Sequence, residues 1–218
     1  LRFGLNETCS ETNIFTGMLV RREGEMTPKI KTAIFISGRG SNMMALVEAA
    51  KAPDFPADFV VVVSNDPSAA GLEWAASQGI EALSVDHKPF GKDREAHERA
   101  IDAQLRAHGV EFICLAGYMR ILTPWLVAQW EGRMINIHPS LLPKHKGLHT
   151  HERAIEAGDA EAGCSIHWVS SGVDEGAVIA QARVPILCGD TPDALASRVL
   201  KEEHRLYPET LHRILSQI

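Results

Sequence analysis

The sequence predicts an α/β fold: a Rossmann-like, doubly wound and mostly parallel sheet with antiparallel strands at one edge. Three observations carry this. Phe59-Val60-Val61-Val62-Val63 and Phe112-Ile113-Cys114-Leu115-Ala116 are continuous apolar runs, the pattern of parallel strands covered on both faces. Helical stretches separate such runs, so strands and helices alternate from Lys29 onward. After residue 150 the order changes, and two long strand candidates follow each other across a short connection.

Ile30 to Ile36 is the first strand, ending at Ser37-Gly38-Arg39-Gly40-Ser41-Asn42, and a helix with Met44, Leu46 and Val47 follows. Phe59 to Val63 stops at Ser64-Asn65-Asp66-Pro67, a turn and helix-start signal, and the next helix runs to about Gln78 before Gly79. Ile80 to Val85 is a weaker strand. The periodic stretch from Lys92 to His108 reads as a surface helix closed by Gly109, with Asp93 to Arg99 as a solvated face. Phe112 to Ala116 is the next buried strand. Thr123-Pro124 supplies an N-cap and a first-turn proline for a short helix through Trp130. Arg133 to Ile137 is a strand broken by His138-Pro139. A helix from about Thr150 to Ala157 precedes the strands Gly163 to Val169 and Val178 to Ile186, which suit an antiparallel pair. A long helix starts at Thr191-Pro192. In such a sheet, ligands gather at the carboxyl ends of the strands.

The chain of 218 residues is long enough for a full core and fits one domain better than two. Its formal charge of −6, with no basic stripe to offset it, argues against a nucleic-acid binder. No apolar run reaches the roughly 18 residues a membrane-spanning helix needs. The cysteines at 9, 114, 164 and 188 form no close pair, and Cys114 and Cys164 read as reduced core residues, which points to the cytoplasm. Residues 1–28 read as an irregular N-terminal extension, with Met26 as a natural start and the Asn6-Glu7-Thr8 sequon as chance.

Four groups of residues carry chemistry. Gly38-Arg39-Gly40-Ser41-Asn42 follows a strand and opens a helix, so its backbone N–H groups suit a phosphate. Met43 stands where a dinucleotide fingerprint needs glycine, and no Gly-Lys-Ser/Thr completes a P-loop. A plain βα turn stays open as the other reading. Asn136 and His138 alternate onto one face at the end of a strand, where an amide beside an imidazole suits a developing oxyanion. Asp174, in the glycine-flanked loop 171–176, would orient the ring and favour its cation; a helix- or turn-capping role for His138 and Asn136 is the alternative. Glu203 shares a helical face with Leu195, Val199 and Tyr207, so it needs a partner, either an arginine of the chain or a ligand's amine or hydroxyls. His138, His145, His149 and His151 lack the spacing and the adjacent acid of a zinc hydrolase, so no metal site is expected.

These residues together resemble the phosphoribosylglycinamide formyltransferase family, from about Ile30 to Leu211. The resemblance lies in the stretches Ile36 to Asn42, Ala116 to Leu122, Asn136 to Pro143 and Gly147 to His151, together with Asp174, Glu203-His204 and Tyr207-Pro208. His-Pro-Ser-Leu-Leu-Pro belongs to the wider superfamily; the Gly-Ser-Asn loop with Gly-Leu-His-Thr-His selects this branch. The resemblance implies the formyltransferase fold over residues 29–218, with 29–135 as a phosphate-binding half and 136–218 as a folate-binding and catalytic half. It implies transfer of a formyl group from 10-formyltetrahydrofolate to the amine of glycinamide ribonucleotide in purine synthesis. Asn136, His138 and Asp174 match the catalytic trio. Gly40, Ser41, Asn42, Pro139 and Glu203 match the ribonucleotide site, and Met119, Arg120, Ile121, Leu122 and Asp174 the folate site. No metal is implied, and the partners are the two small molecules, with no nucleic acid or membrane. The protein is expected to act in the cytoplasm as a monomer or homodimer.

Two departures stand out. Leu200 occupies a position where relatives carry a polar or basic phosphate contact, with Lys201 beside it, and the chain ends at Ile218 where the family often continues into a hairpin. A 10-formyltetrahydrofolate hydrolase carries an N-terminal regulatory domain that residues 1–28 are too few to supply. A methionyl-tRNA formyltransferase calls for a basic second domain, and a non-catalytic phosphate-binding module would not need the trio. The expected mechanism has the Asn136 amide and the His138 imidazolium stabilising a tetrahedral oxyanion, with Asp174 keeping the ring charged and assisting proton transfer.

Overall fold

The computed structural model describes residues 28–218; the expectations for Leu1 to Thr27 lie outside the described residues. Seven strands form one sheet: β1 (Ile30–Ile36), β2 (Ala57–Ser64), β3 (Glu81–Ser84), β4 (Phe112–Leu115), β5 (Met134–His138), β6 (Glu161–Trp168) and β7 (Val178–Pro185). Six helices accompany them: α1 (Ser41–Ala49), α2 (Ala70–Ser77), α3 (Arg94–Ala107), α4 (Pro124–Gln129), α5 (Thr150–Glu156) and α6 (Pro192–Leu215). A 3₁₀ turn at Lys88–Phe90, unmarked in the sequence pattern, precedes α3.

The strand order is β3-β2-β1-β4-β5-β6-β7. The first five strands run parallel, and β6 and β7 add antiparallel at one edge. Order reverses between β1 and β4, which puts a crevice at their carboxyl ends. The central runs are apolar throughout because both faces are covered. Ile34 and Ile36 pack on one side with Leu46, Leu195 and Tyr207; Ala33 and Phe35 pack on the other with Ile101, Leu126 and Trp130.

Caps fix where the helices start. Asp93, Thr123 and Thr191 each accept a backbone N–H from three residues on, at the heads of α3, α4 and α6. Helix α6 continues through Pro208, which has no N–H to give the carbonyl of His204. Packing holds it there: the fully buried Tyr207 hydroxyl donates to the Leu115 carbonyl at 2.9 Å. In the Asp93–Arg99 stretch, Asp93, Arg94, Glu95 and Arg99 are exposed as expected, but two residues depart from the solvated face. His97 and Glu98 are buried, and the Glu98 carboxylate accepts both the backbone N–H and the hydroxyl of Thr123. Asp102 likewise turns inward and accepts the Trp130 indole N–H at 2.9 Å. Burial of such acids is tolerated because donors from α4 meet them. Cys114 and Cys164 are free, buried thiols, and burial pushes Cys164 up to about 12. No helix among the described residues is long and apolar enough to cross a membrane.

Candidate active site

Antiparallel pairing of β5 with β6 assembles the centre of the site. The register sets Asn136 opposite His167 and His138 opposite Ser165. Asn136 Nδ2 donates to His167 Nε2 at 3.1 Å, while His167 Nδ1 lies 2.9 Å from the Trp168 carbonyl. A carbonyl only accepts, so the Nδ1 proton goes there and Nε2 is left to take the amide hydrogen. Asn136 keeps its second N–H for another acceptor.

Asp174 comes in from the loop between β6 and β7, in the left-handed region at φ 51°. Its Oδ2 stands 3.2 Å from His138 Nδ1 and accepts the Gly147 N–H at 2.9 Å; its Oδ1 stands 3.5 Å from His167 Nε2. Burial is the largest influence on this carboxyl and pushes it up, but the neighbouring His167 and His138 rings and the Gly147 N–H together outweigh it. Its pKa falls below the ordinary value.

Burial and contact geometry pull the expected His138 imidazolium in opposite directions. Burial is the largest influence on the ring and holds its pKa below the ordinary 6.5, against the upward pull of the His145 carbonyl and Asp174. The ring Nε2 lies 3.0 Å from the His145 carbonyl and Nδ1 faces Asp174; both partners only accept, so a neutral ring donates to one of them and the cation to both. His145, at φ 51°, is anchored by Nε2 at 2.8 Å from Asp159, whose other oxygen receives Lys144 at 2.7 Å. His149 meets Glu152 at 2.9 Å. Among the described residues no group of three His, Cys, Asp or Glu side chains is arranged to hold a metal.

The glycine loop lies at the carboxyl end of β1. Gly40 caps α1 at φ 71°, a conformation that excludes most side chains, and α1 has no side-chain cap. Its first-turn N–H groups therefore stay available. Helix α2 braces the loop from behind: Gly71 N–H donates to the Gly38 carbonyl at 3.1 Å, and a Cβ on Gly71 would stand 2.9 Å from that oxygen. Glu203 is buried and pairs with no arginine among the described residues. Asn42 Nδ2 donates to its Oε2 at 2.6 Å, and burial still pushes the carboxyl pKa up. Asn42 Oδ1, His204 Nε2 and His151 Nδ1 are buried atoms with no protein partner among the described residues.

The segment Gly117 to Leu122 follows β4. Met119 and Ile121 project outward, 66% and 57% exposed, whereas Arg120 borders an open cleft of about 740 Å³ with Lys92, Arg94 and Glu95. None of Asn136, His138 and Asp174 lines that cleft. Pro139 directly follows His138 at the end of β5. The structure thus brings Asn136, His138 and Asp174 together and separately joins Asn42 to Glu203. His167 was not singled out in the sequence; the signal for it is a histidine inside the apolar run Gly163 to Val169.

The model of the formyl transferase family matches residues 30–211. The phosphoribosylglycinamide formyltransferase of Escherichia coli (strain K12) is 43% identical over 80% of this chain and 82% of its own length. The trifunctional purine biosynthetic protein adenosine-3 of Drosophila melanogaster is 44% identical over 93% of this chain, which spans only 15% of that protein. Among solved structures, phosphoribosylglycinamide formyltransferase from Brucella melitensis superimposes with a TM-score of 0.82 at 52% identity, covering 86% of this chain and 96% of that one.

Proposed function

Because the chain belongs to the formyl transferase family, and to its phosphoribosylglycinamide formyltransferase branch, we propose that it transfers the formyl group of 10-formyltetrahydrofolate to the amine of glycinamide ribonucleotide, a step of purine biosynthesis. The observation that carries the reading is the Asp174 carboxylate held against His138, with the Asn136 amide on the same strand face. The bracing of the Gly40-Ser41-Asn42 loop, and its link to Glu203, support a site for the ribonucleotide's phosphate and polar end, to which Pro139 is also assigned. Met119, Arg120, Ile121 and Leu122 are assigned to the folate. Residues 29–135 act as the phosphate-binding half and 136–218 as the folate-binding and catalytic half. The partners are these two small molecules, with no nucleic acid, membrane or metal, and the protein works in the cytoplasm as a monomer or homodimer.

The neutral amine attacks the formyl carbon, the new C–N bond forms, and an oxyanion develops. The free N–H of Asn136 donates to it. His138 can join only when its Nε2–H leaves the His145 carbonyl, and the growing negative charge then adds to Asp174 in favouring the imidazolium. The bond from carbon to the folate nitrogen breaks as a proton passes from the attacking amine to that nitrogen, with Asp174 as carrier. One oxyanion donor is worth about 10²–10³ in rate. Holding both substrates in line supplies up to roughly 7–11 kcal/mol more.

Release of tetrahydrofolate is measured with and without glycinamide ribonucleotide. Release only with the ribonucleotide is expected. Equal release without it would make the enzyme a hydrolase, and no release with either would make the site a binding module.

A further inference from the structure

We propose that Ser37 is a positioning residue that sets the distance between the glycine loop and the Met119 backbone, and so holds the folate-binding segment in register with the ribonucleotide site. The inference rests on the reading of those two sites given above. Ser37 ends the Ile30–Ile36 run and begins the glycine loop, so it touches both. Its hydroxyl accepts the Met119 N–H at 2.8 Å and donates to Asn65 Oδ1 at 2.5 Å. The directions are fixed by chemistry: a backbone N–H only donates, and the one hydroxyl proton then belongs to the amide oxygen. Its own N–H donates to the Gly117 carbonyl at 3.1 Å, and Ala116 N–H donates to the Phe35 carbonyl at 2.8 Å. The segment 116–119 is therefore zipped to the end of β1 by three bonds, of which only the last, at Met119, depends on a side chain.

Asn65 is suited to anchor that side chain. It follows β2 directly, is buried, and its backbone carbonyl lies 3.0 Å from His87 Nδ1. The hydroxyl thus bridges the ends of β1 and β2 to the loop after β4, across 28 residues on one side and 82 on the other. Neither Ser37 nor Asn65 is assigned to either substrate. Met119 is largely exposed, so its side chain contributes little to holding the loop, and the hydroxyl supplies the constraint instead.

Ser37→Ala tests the proposal. Loss of one such bond should raise the KM for 10-formyltetrahydrofolate roughly three- to tenfold, with kcat and the ribonucleotide KM changed less than the folate KM. Hydrogen exchange at the Met119 amide should quicken in the same variant. Asn65→Leu should reproduce the folate defect, and Asn65→Asp, which keeps the oxygen acceptor, should restore near-normal folate KM. If the alanine variant does not fold, Ser37→Cys, with a weakly bonding thiol of similar size, takes its place. An unchanged folate KM, or equal weakening of both substrates together with a lowered Tm, would overturn the positioning role. A wild-type chain that consumes no 10-formyltetrahydrofolate would overturn the reading of the site and this proposal with it. Normal wild-type turnover with an unaltered Ser37→Ala variant would overturn the proposal alone.

Discussion

Asn42, in the first turn of α1, donates its side-chain amide to the Glu203 carboxylate of α6 across 2.6 Å, joining residues 161 apart in the chain. The bond compensates only part of what burial costs the charge, since the Glu203 pKa remains raised.

That residual cost makes Glu203 testable by stability. A carboxyl whose folded pKa lies above its unfolded 4.5 binds more protons when folded, so its ionisation destabilises the fold as pH rises through the interval between them. Glu203→Gln keeps the acceptor for Asn42 and removes the charge. The variant should melt higher than wild type at pH 7, by about 2–4 °C for each kcal/mol relieved in a domain of this size. Its KM for glycinamide ribonucleotide should rise on the order of tenfold or more, because a charge that costs stability is retained for the ligand. A lower Tm with an unchanged KM would assign Glu203 to the core alone.

Asp174→Asn removes the carboxylate that opposes burial at His138. The His138 pKa, already below 6.5, should fall further, because an upward influence has been lost and the downward one remains. kcat should drop by at least about 10²-fold, with a smaller change in substrate binding. NMR titration of His138 and steady-state kinetics check the two halves. An unmoved titration with kcat within a few-fold of wild type would leave Asp174 a loop residue.

Acid should weaken the fold in a defined window. His97, His138, His151 and His204 all have pKa values lowered from 6.5, chiefly by burial. The folded state binds fewer protons than the unfolded chain, so this stability is fully present above about pH 6.5 and is lost as pH falls through the lowered values. Tm should therefore decline as pH falls below about 6.5. His97→Phe, beside Phe90 and away from Asp174, should flatten part of that decline. Scanning calorimetry from pH 7.5 to 5 decides it, and a flat Tm would refute the expectation.

Gly71→Ala should act on the glycine loop from behind. The new Cβ would meet the Gly38 and Arg39 carbonyls at 2.9 and 3.1 Å, both backbone atoms with little room to yield. Displacement of the loop should raise the ribonucleotide KM on the order of tenfold, since shifts near 1 Å cost up to about 10²-fold in positioned sites. Folate affinity should stay nearly unchanged. Equal losses for both substrates would indicate a general packing defect instead.

Local signals were legible in the sequence because they are short in range. The apolar runs ending at Ile36, Val63 and Ala116 became parallel strands, and Thr123-Pro124 and Thr191-Pro192 opened helices as their chemistry requires. Asn136 and His138 share a face because strand geometry has a period of two. Family motifs extended that reading to Asp174 and Glu203. What only the tertiary structure decided was who stands opposite whom. His167 faces Asn136 through the β5–β6 register, Asn42 rather than an arginine meets Glu203, and Thr123 draws Glu98 inward from a helix that reads as solvated. The charge of His138 belongs with these. Alternation puts the ring on the Asn136 face, but its protonation depends on the loop that brings Asp174 and on how much water is excluded, and desolvation is a property of the packed whole that no run of neighbouring residues encodes.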